Sequence, residues 1–138
     1  MTVGLKLGSI TAEIGGQDFF HAFFSTLSYR LETDGWGSRF PCLLKKLYQG
    51  SLEQGDAWQA LEELDVITTE LSKLSPDKVV WDIENLEATP PWGSNISINI
   101  TDLSNYFVTS TGRDLIGVLK EFLEELRYRG GTIEIVLI

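Results

Sequence analysis

The sequence predicts an α+β protein, a single domain over residues 1–138 in which a mixed or antiparallel sheet of about five to six short strands packs with about four helices. Three observations predict it. Apolar residues alternate with polar or small ones near both ends of the chain and recur every third or fourth residue in the stretches between. Glycines and prolines punctuate most changes of period. With 43% apolar and 22% charged residues, the 138-residue chain can bury one real core and does not have the composition of a disordered one.

Val3, Leu5 and Leu7, then Ile10, Ala12 and Ile14 beyond Gly8-Ser9, predict two strands of a hairpin that ends at Gly15-Gly16. From Asp18 the period changes, and Phe19, Phe20, Phe23, Phe24, Leu27 and Leu31 fall on one face of a core helix. His21, the only histidine, lies beside that stripe with Ser25 one turn on. Such a pair could suggest nucleophile and base, but spacing identifies no third member or oxyanion donor, so a partly exposed helix histidine is expected. Glu32 to Phe40 reads as a loop holding Trp36 between two glycines, where an indole either folds back on the core or stands at a binding surface. Pro41 suits the first turn of a short helix through Leu43, Leu44, Leu47 and Tyr48, stopping at Gly50. Cys42 at its start would have its thiol pKa lowered by the helix dipole. With no second histidine to act as base, a buried structural thiol is expected.

Ser51-Leu-Glu-Gln54 has capping-box spacing and predicts the start of the longest helix. Its core positions are Ala57, Leu61, Leu64, Ile67, Leu71 and Leu74; Glu53, Asp56, Glu62, Glu63, Asp65 and Glu70 take the solvated faces, and Pro76 marks its end. Lys78 to Trp81 reads as a short strand, Glu87 to Gly93 as a turn stiffened by Pro90 and Pro91, and Ile96, Ile98 and Ile100 as one face of a strand. Tyr106 to Thr109 reads as a further strand. Thr111 and Asp114 form a capping pair for a helix with Leu115, Leu119, Phe122, Leu123 and Leu126 on its core face. Thr132 to Ile138, after Gly130-Gly131, is apolar enough to be central in the sheet.

Twenty acidic against eleven basic residues leave a formal net charge of -9. Nucleic acid and anionic membranes are therefore poor partners, and a basic protein or a cation is a better one. One cysteine allows no internal disulfide and fits a reducing compartment. The N-terminus lacks the apolar core of a signal peptide and no run approaches a membrane span, so a cytoplasmic protein is expected. On that ground the glycosylation patterns at Asn95 and Asn99 are read as chance matches. No phosphate-binding glycine loop is present, and one cysteine with one histidine permits no Cys/His metal spacing. Asp82, Glu84 and Glu87 could approach Mg²⁺ or Ca²⁺ but lack the ligand alternation and glycine of a calcium loop. No metal, cofactor or catalytic residue is expected.

Function is best sought between Lys78 and Leu115, where short strands and loops carry large aromatics and carboxylates. Asp82, Glu84, Glu87 and Trp92, with Trp36, are the candidate partner-binding residues. The strings MTVGLKLGSITAEIG, DFFHAFFSTLSYRLE, WGSRFP, LYQG, PDKVVWDIE, PPWG and ITDLSNYFVTSTGRDL together resemble the immunity protein 70 family of bacterial polymorphic toxin systems, over nearly the whole chain. The resemblance implies a small cytoplasmic protein that neutralises a cognate toxin encoded nearby and is not an enzyme. Many such toxins are nucleases with basic clefts, toward which the -9 charge would steer an inhibitor. Two other classes compete. A small hydrolase using Asp82, Asp102 and His21 would require those side chains to converge. A structural or adaptor subunit docking through the acidic helix would require a contiguous apolar patch or a stable homo-oligomer.

Overall fold

The N-terminal hairpin forms as β1 (Thr2–Leu7) and β2 (Ile10–Gly16), antiparallel from Leu7 opposite Ile10 to Thr2 opposite Gly16. The structure, a computed structural model, describes residues 2–138. The hairpin register shifts between Val3 and Gly4, so that Ile14 is an extra residue in β2. The bulge turns Ile14 into the core, where it is fully buried. The chain then enters helix α1 (Gln17–Leu31) and a π-helix (Cys42–Leu47), whose i to i+5 geometry appears in the bond from the Tyr48 amide to the Leu43 carbonyl.

Strand β3 (Ser51–Glu53), helix α2 (Ala57–Leu71), helix α3 (Leu115–Arg129) and strand β4 (Thr132–Leu137) complete the regular elements. The sheet order is β2-β1-β4-β3, antiparallel throughout, and the expected central place of the last strand is realised. Val3, Leu5, Leu7, Leu52 and Ile133 are buried on the helix-covered face, while Lys6, Glu13, Glu53 and Glu134 are exposed on the other. Residues 22–28 of α1 are all buried, so this helix is covered on almost every side. The sheet covers one side of it, and an irregular segment, residues 79–114, lies against another.

Among the described residues four strands form, fewer than expected, because three predicted ones are absent. Lys78 to Trp81 joins a short 3-10 turn (Pro76–Lys78) to the irregular segment, and of Tyr106 to Thr109 only Val108 pairs, in a single bridge with Asp114. At Ile96 to Thr101, side chains take over the backbone partners that a neighbouring strand would supply. Asn105 Oδ1 accepts from the amides of Thr101 and Asp102, and Asn105 Nδ2 donates to the Asn99 carbonyl. The apolar alternation breaks with it: Ile96 and Ile100 are half-buried but Ile98 is 95% exposed.

The capping-box reading of Ser51 to Gln54 is also overturned. Leu52 buries its side chain by pairing opposite Ile133, which makes the triplet an edge strand, and α2 begins only at Ala57 after a 3-10 turn (Gln54–Asp56). It ends at Leu71, short of Pro76. Glu63, expected on a solvated face, is buried because its carboxylate caps the π-helix, accepting from the amides of Cys42 and Leu43. Asp114 alone caps α3, accepting from the Gly117 amide, while Thr111 bonds Thr109. Cys42 is buried, as expected for a structural thiol. Burial, followed by the nearby Glu63 carboxylate, pushes its thiol up to about 12, against any lowering by a helix of six residues.

Candidate partner-binding surface

The segment from 79 to 114 contains no helix and no strand pairing beyond the Val108 bridge, yet it is tied down along its length. A strip of polar side chains on α1 does much of the tying. Thr26 Oγ1 accepts from the Val80 amide at 3.0 Å and also donates to the Ala22 carbonyl. Ser25 Oγ accepts from the Ile83 amide, and His21 Nε2 meets Asp82 Oδ1 at 3.1 Å. Farther along, the Leu103 amide donates to the Leu74 carbonyl and the Ser110 amide to that of Ile14 in the β2 bulge. Unpaired backbone in a buried setting is costly, so these bonds are what allow a segment without its own ladder to stay ordered.

His21 is the centre of a first cluster. Its Nδ1 lies 2.6 Å from the Tyr48 hydroxyl, and its ring stacks on Trp36 with centroids 6.4 Å apart. Asp82 accepts from the Glu84 amide and from His21, which together hold its carboxyl below the usual carboxylate range. With Asp82 ionised, one tautomer satisfies both contacts: Nε2–H donates to Asp82 while Nδ1 accepts from Tyr48. Burial, then the charges of Glu84 and Asp82, push the Tyr48 phenol upward and keep it a donor. Trp36 is half-buried against this group, its indole N–H donating to the Leu44 carbonyl.

Trp92 belongs to a second cluster. It packs edge-on against Trp81 at 5.2 Å, and its N–H donates to the Tyr106 hydroxyl at 2.9 Å, leaving the ring 38% exposed. Burial raises the Tyr106 phenol, which the Trp92 bond partly offsets. Tyr106 in turn packs on Phe107, and Phe107 on Phe23 of α1, so the surface indole rests on the core through a chain of rings.

The structure thus brings Asp82, Glu84 and Trp36 around His21 and Tyr48, sets Trp92 with Trp81 and Tyr106, and leaves Glu87 in an exposed turn whose amide donates to Asn85. Asp102 does not join His21 and Asp82; Ser104, Thr101 and Asn105 of its own turn take its hydrogen bonds. The convergence needed for a carboxylate hydrolase is accordingly incomplete. Sequence reasoning missed Tyr48, Trp81 and Tyr106 as supports, and missed the strip on α1. Consecutive polar residues Ser25 and Thr26 inside a phenylalanine-rich core helix were the available signal.

Four large apolar side chains of the segment stand in solvent: Leu86, Trp92, Ile98 and Val108. Five carboxylates (Asp82, Glu84, Glu87, Asp102, Asp114) against the single Arg113 give residues 79–114 a net charge of -4. Arg113 itself is held by Glu121 at 2.5 Å. Among the described residues no group of three His, Cys, Asp or Glu side chains could hold a metal ion, and no helix is long and apolar enough to cross a membrane. The family model described as Immunity protein 70 matches residues 5–135. No curated protein and no solved structure matches the chain.

Proposed function

The chain belongs to the immunity protein 70 family, and from that premise we propose that it binds a cognate bacterial polymorphic toxin in the cytoplasm and neutralises it by occlusion, without chemistry of its own. The family match over nearly the full chain carries this reading. The binding surface is the irregular segment 79–114, with Asp82, Glu84, Glu87 and Trp92 in contact and Trp36 bracing the His21 cluster beneath. Apolar side chains exposed among carboxylates support that assignment, because interfaces combine aromatic anchors with a polar rim. The net charge of -9 supports a basic toxin, of which a nuclease is the expected kind.

Co-expression with the toxin encoded beside this chain tests the reading. Growth should be rescued, and the two proteins should copurify in a stoichiometric complex. Association should be fast at low salt and slow as salt rises through about 0.15 M, where the screening length is about 8 Å. No rescue and no complex would end the proposal. Rescue with a salt-independent association rate would retain the immunity function and remove the basic toxin.

A further inference from the structure

Two clefts flank the run from Trp92 to Ile96 and share Ile96 and Tyr106 as lining residues. The smaller, of about 310 Å³, is lined by Phe19, Trp92, Ile96, Ile100, Tyr106 and Val108, with Asn95 and Ser97 beside them. Its floor is set by the fold. Phe19 in the first turn of α1 packs on Phe107 at 6.0 Å, and the Trp92–Tyr106 hydrogen bond fixes one wall. Val108 is held in place by its bridge to Asp114. Proline at positions 90 and 91 limits the freedom of the chain that delivers Trp92. The cleft is therefore preformed, and its occupant would not have to order it.

Charge selects among occupants. The segment that builds the cleft carries a net charge of -4, and its one cation is committed to Glu121. A second copy of this chain would bring the same negative field against it, whereas a cationic protein surface would be drawn in. We propose that this cleft is the anchor site for the toxin: a large aliphatic or aromatic side chain on the toxin's positively charged face inserts between Trp92 and Val108, while the surrounding carboxylates meet the basic groups around it. The inference rests on the immunity reading and adds to it the location and chemistry of the central contact. Ile98, 95% exposed in the turn between the lining residues Ser97 and Ile100, extends the apolar contact outward from the cleft.

The test uses the full chain and the toxin domain encoded beside it, inactivated for handling, with binding read by calorimetry. Val108→Asp and Ile98→Asp each replace an exposed apolar side chain, so thermal melting should stay close to that of the unaltered chain. Each should raise Kd by about tenfold or more, the loss typical of an anchor contact. Tyr128→Asp, on the far end of α3 and 87% exposed, should leave Kd unchanged. If the unaltered chain binds the toxin and the Val108→Asp and Ile98→Asp variants bind it equally well, the anchor site is wrong and the immunity reading stands. If Tyr128→Asp is the variant that weakens binding, the toxin docks elsewhere, with the same consequence. If the unaltered chain does not bind the toxin, both ideas fall. Self-association of the unaltered chain that Val108→Asp abolishes would identify a second copy as the occupant and overturn the proposal. Should Val108→Asp fail to fold, Ile98→Asp, which lies outside any pairing, gives the answer alone.

Discussion

Buried carboxylates do the work of missing secondary structure at two places in this chain. Glu32, 5% exposed, accepts from the amides of Gly37, Arg39 and Phe40 at 2.9, 3.0 and 2.9 Å and so shapes the loop that carries Trp36. Glu63 does the same for the start of the π-helix. Each replaces several water contacts with charge-assisted bonds, and removing one leaves amides buried without acceptors. Glu32→Ala should cost on the order of 3 kcal/mol in urea denaturation, with Glu32→Gln intermediate because one acceptor oxygen remains. A loss under about 1 kcal/mol would mean that the loop keeps its shape through the flanking chain alone. Burial raises the Glu63 carboxyl above its usual value despite these bonds, so its ionisation works against the fold as pH rises through that raised value.

At the scale of elements, α1 holds the core with its phenylalanines and the irregular segment with its polar strip. Thr26→Val keeps the volume and removes the oxygen that the Val80 amide needs. It should destabilise by about 1–3 kcal/mol and speed hydrogen exchange at Val80 and its neighbours more than in α2 or α3. Exchange that rises equally everywhere would show that Thr26 supports the whole fold instead. Acid should loosen the same segment. Asp82 is held below its usual 3.8 mainly by the Glu84 amide, and Asp102 below the same value mainly by the Ser104 hydroxyl. A carboxyl whose folded pKa is depressed stabilises the fold fully above the unfolded value and loses that contribution as pH falls through the folded one. Amide resonances of Glu84 and Ser104 should therefore shift below pH 3.8, while those of the sheet, which carry no such partner, hold their positions. The apolar face of α1 was legible because phenylalanine spacing is local. The purpose of His21, Ser25 and Thr26 was not, since their partners in the irregular segment lie 54 to 61 residues away. Ile96, Ile98 and Ile100 misled for a related reason. Alternation reports a half-buried surface, and here the Asn105 side chain supplied the backbone partners that a strand would otherwise need.

For the whole molecule, the negative charge is unevenly distributed. Helix α2 carries four carboxylates and no cation, with Glu63 turned inward, and residues 79–114 carry a net -4, whereas in α3 three acidic residues balance three basic ones. A long-range field that points from one side of a protein acts mainly on encounter rates. The pair Glu84→Lys and Glu87→Lys should slow association with a basic toxin by about tenfold at low salt and little at high salt, with dissociation nearly unchanged. Stopped-flow association at two salt concentrations checks this, and an association rate left unchanged at low salt would remove the long-range steering. The composition already announced the excess of acid, and the balanced charges of α3 could be read from the predicted helix before Gly130.

The bulge at Ile14 also bears on how the sheet meets other molecules of this chain. Strand β2 is the longer edge of the sheet, and an open edge invites a strand from another molecule to add to it. Here the Ile14 carbonyl is already taken by the Ser110 amide, and the Ser110 hydroxyl reaches Glu13 beside it. An incoming strand finds an interrupted row of partners and a carboxylate in its path. The contact that fastens the far end of the irregular segment thus also guards against edge-to-edge stacking into fibres.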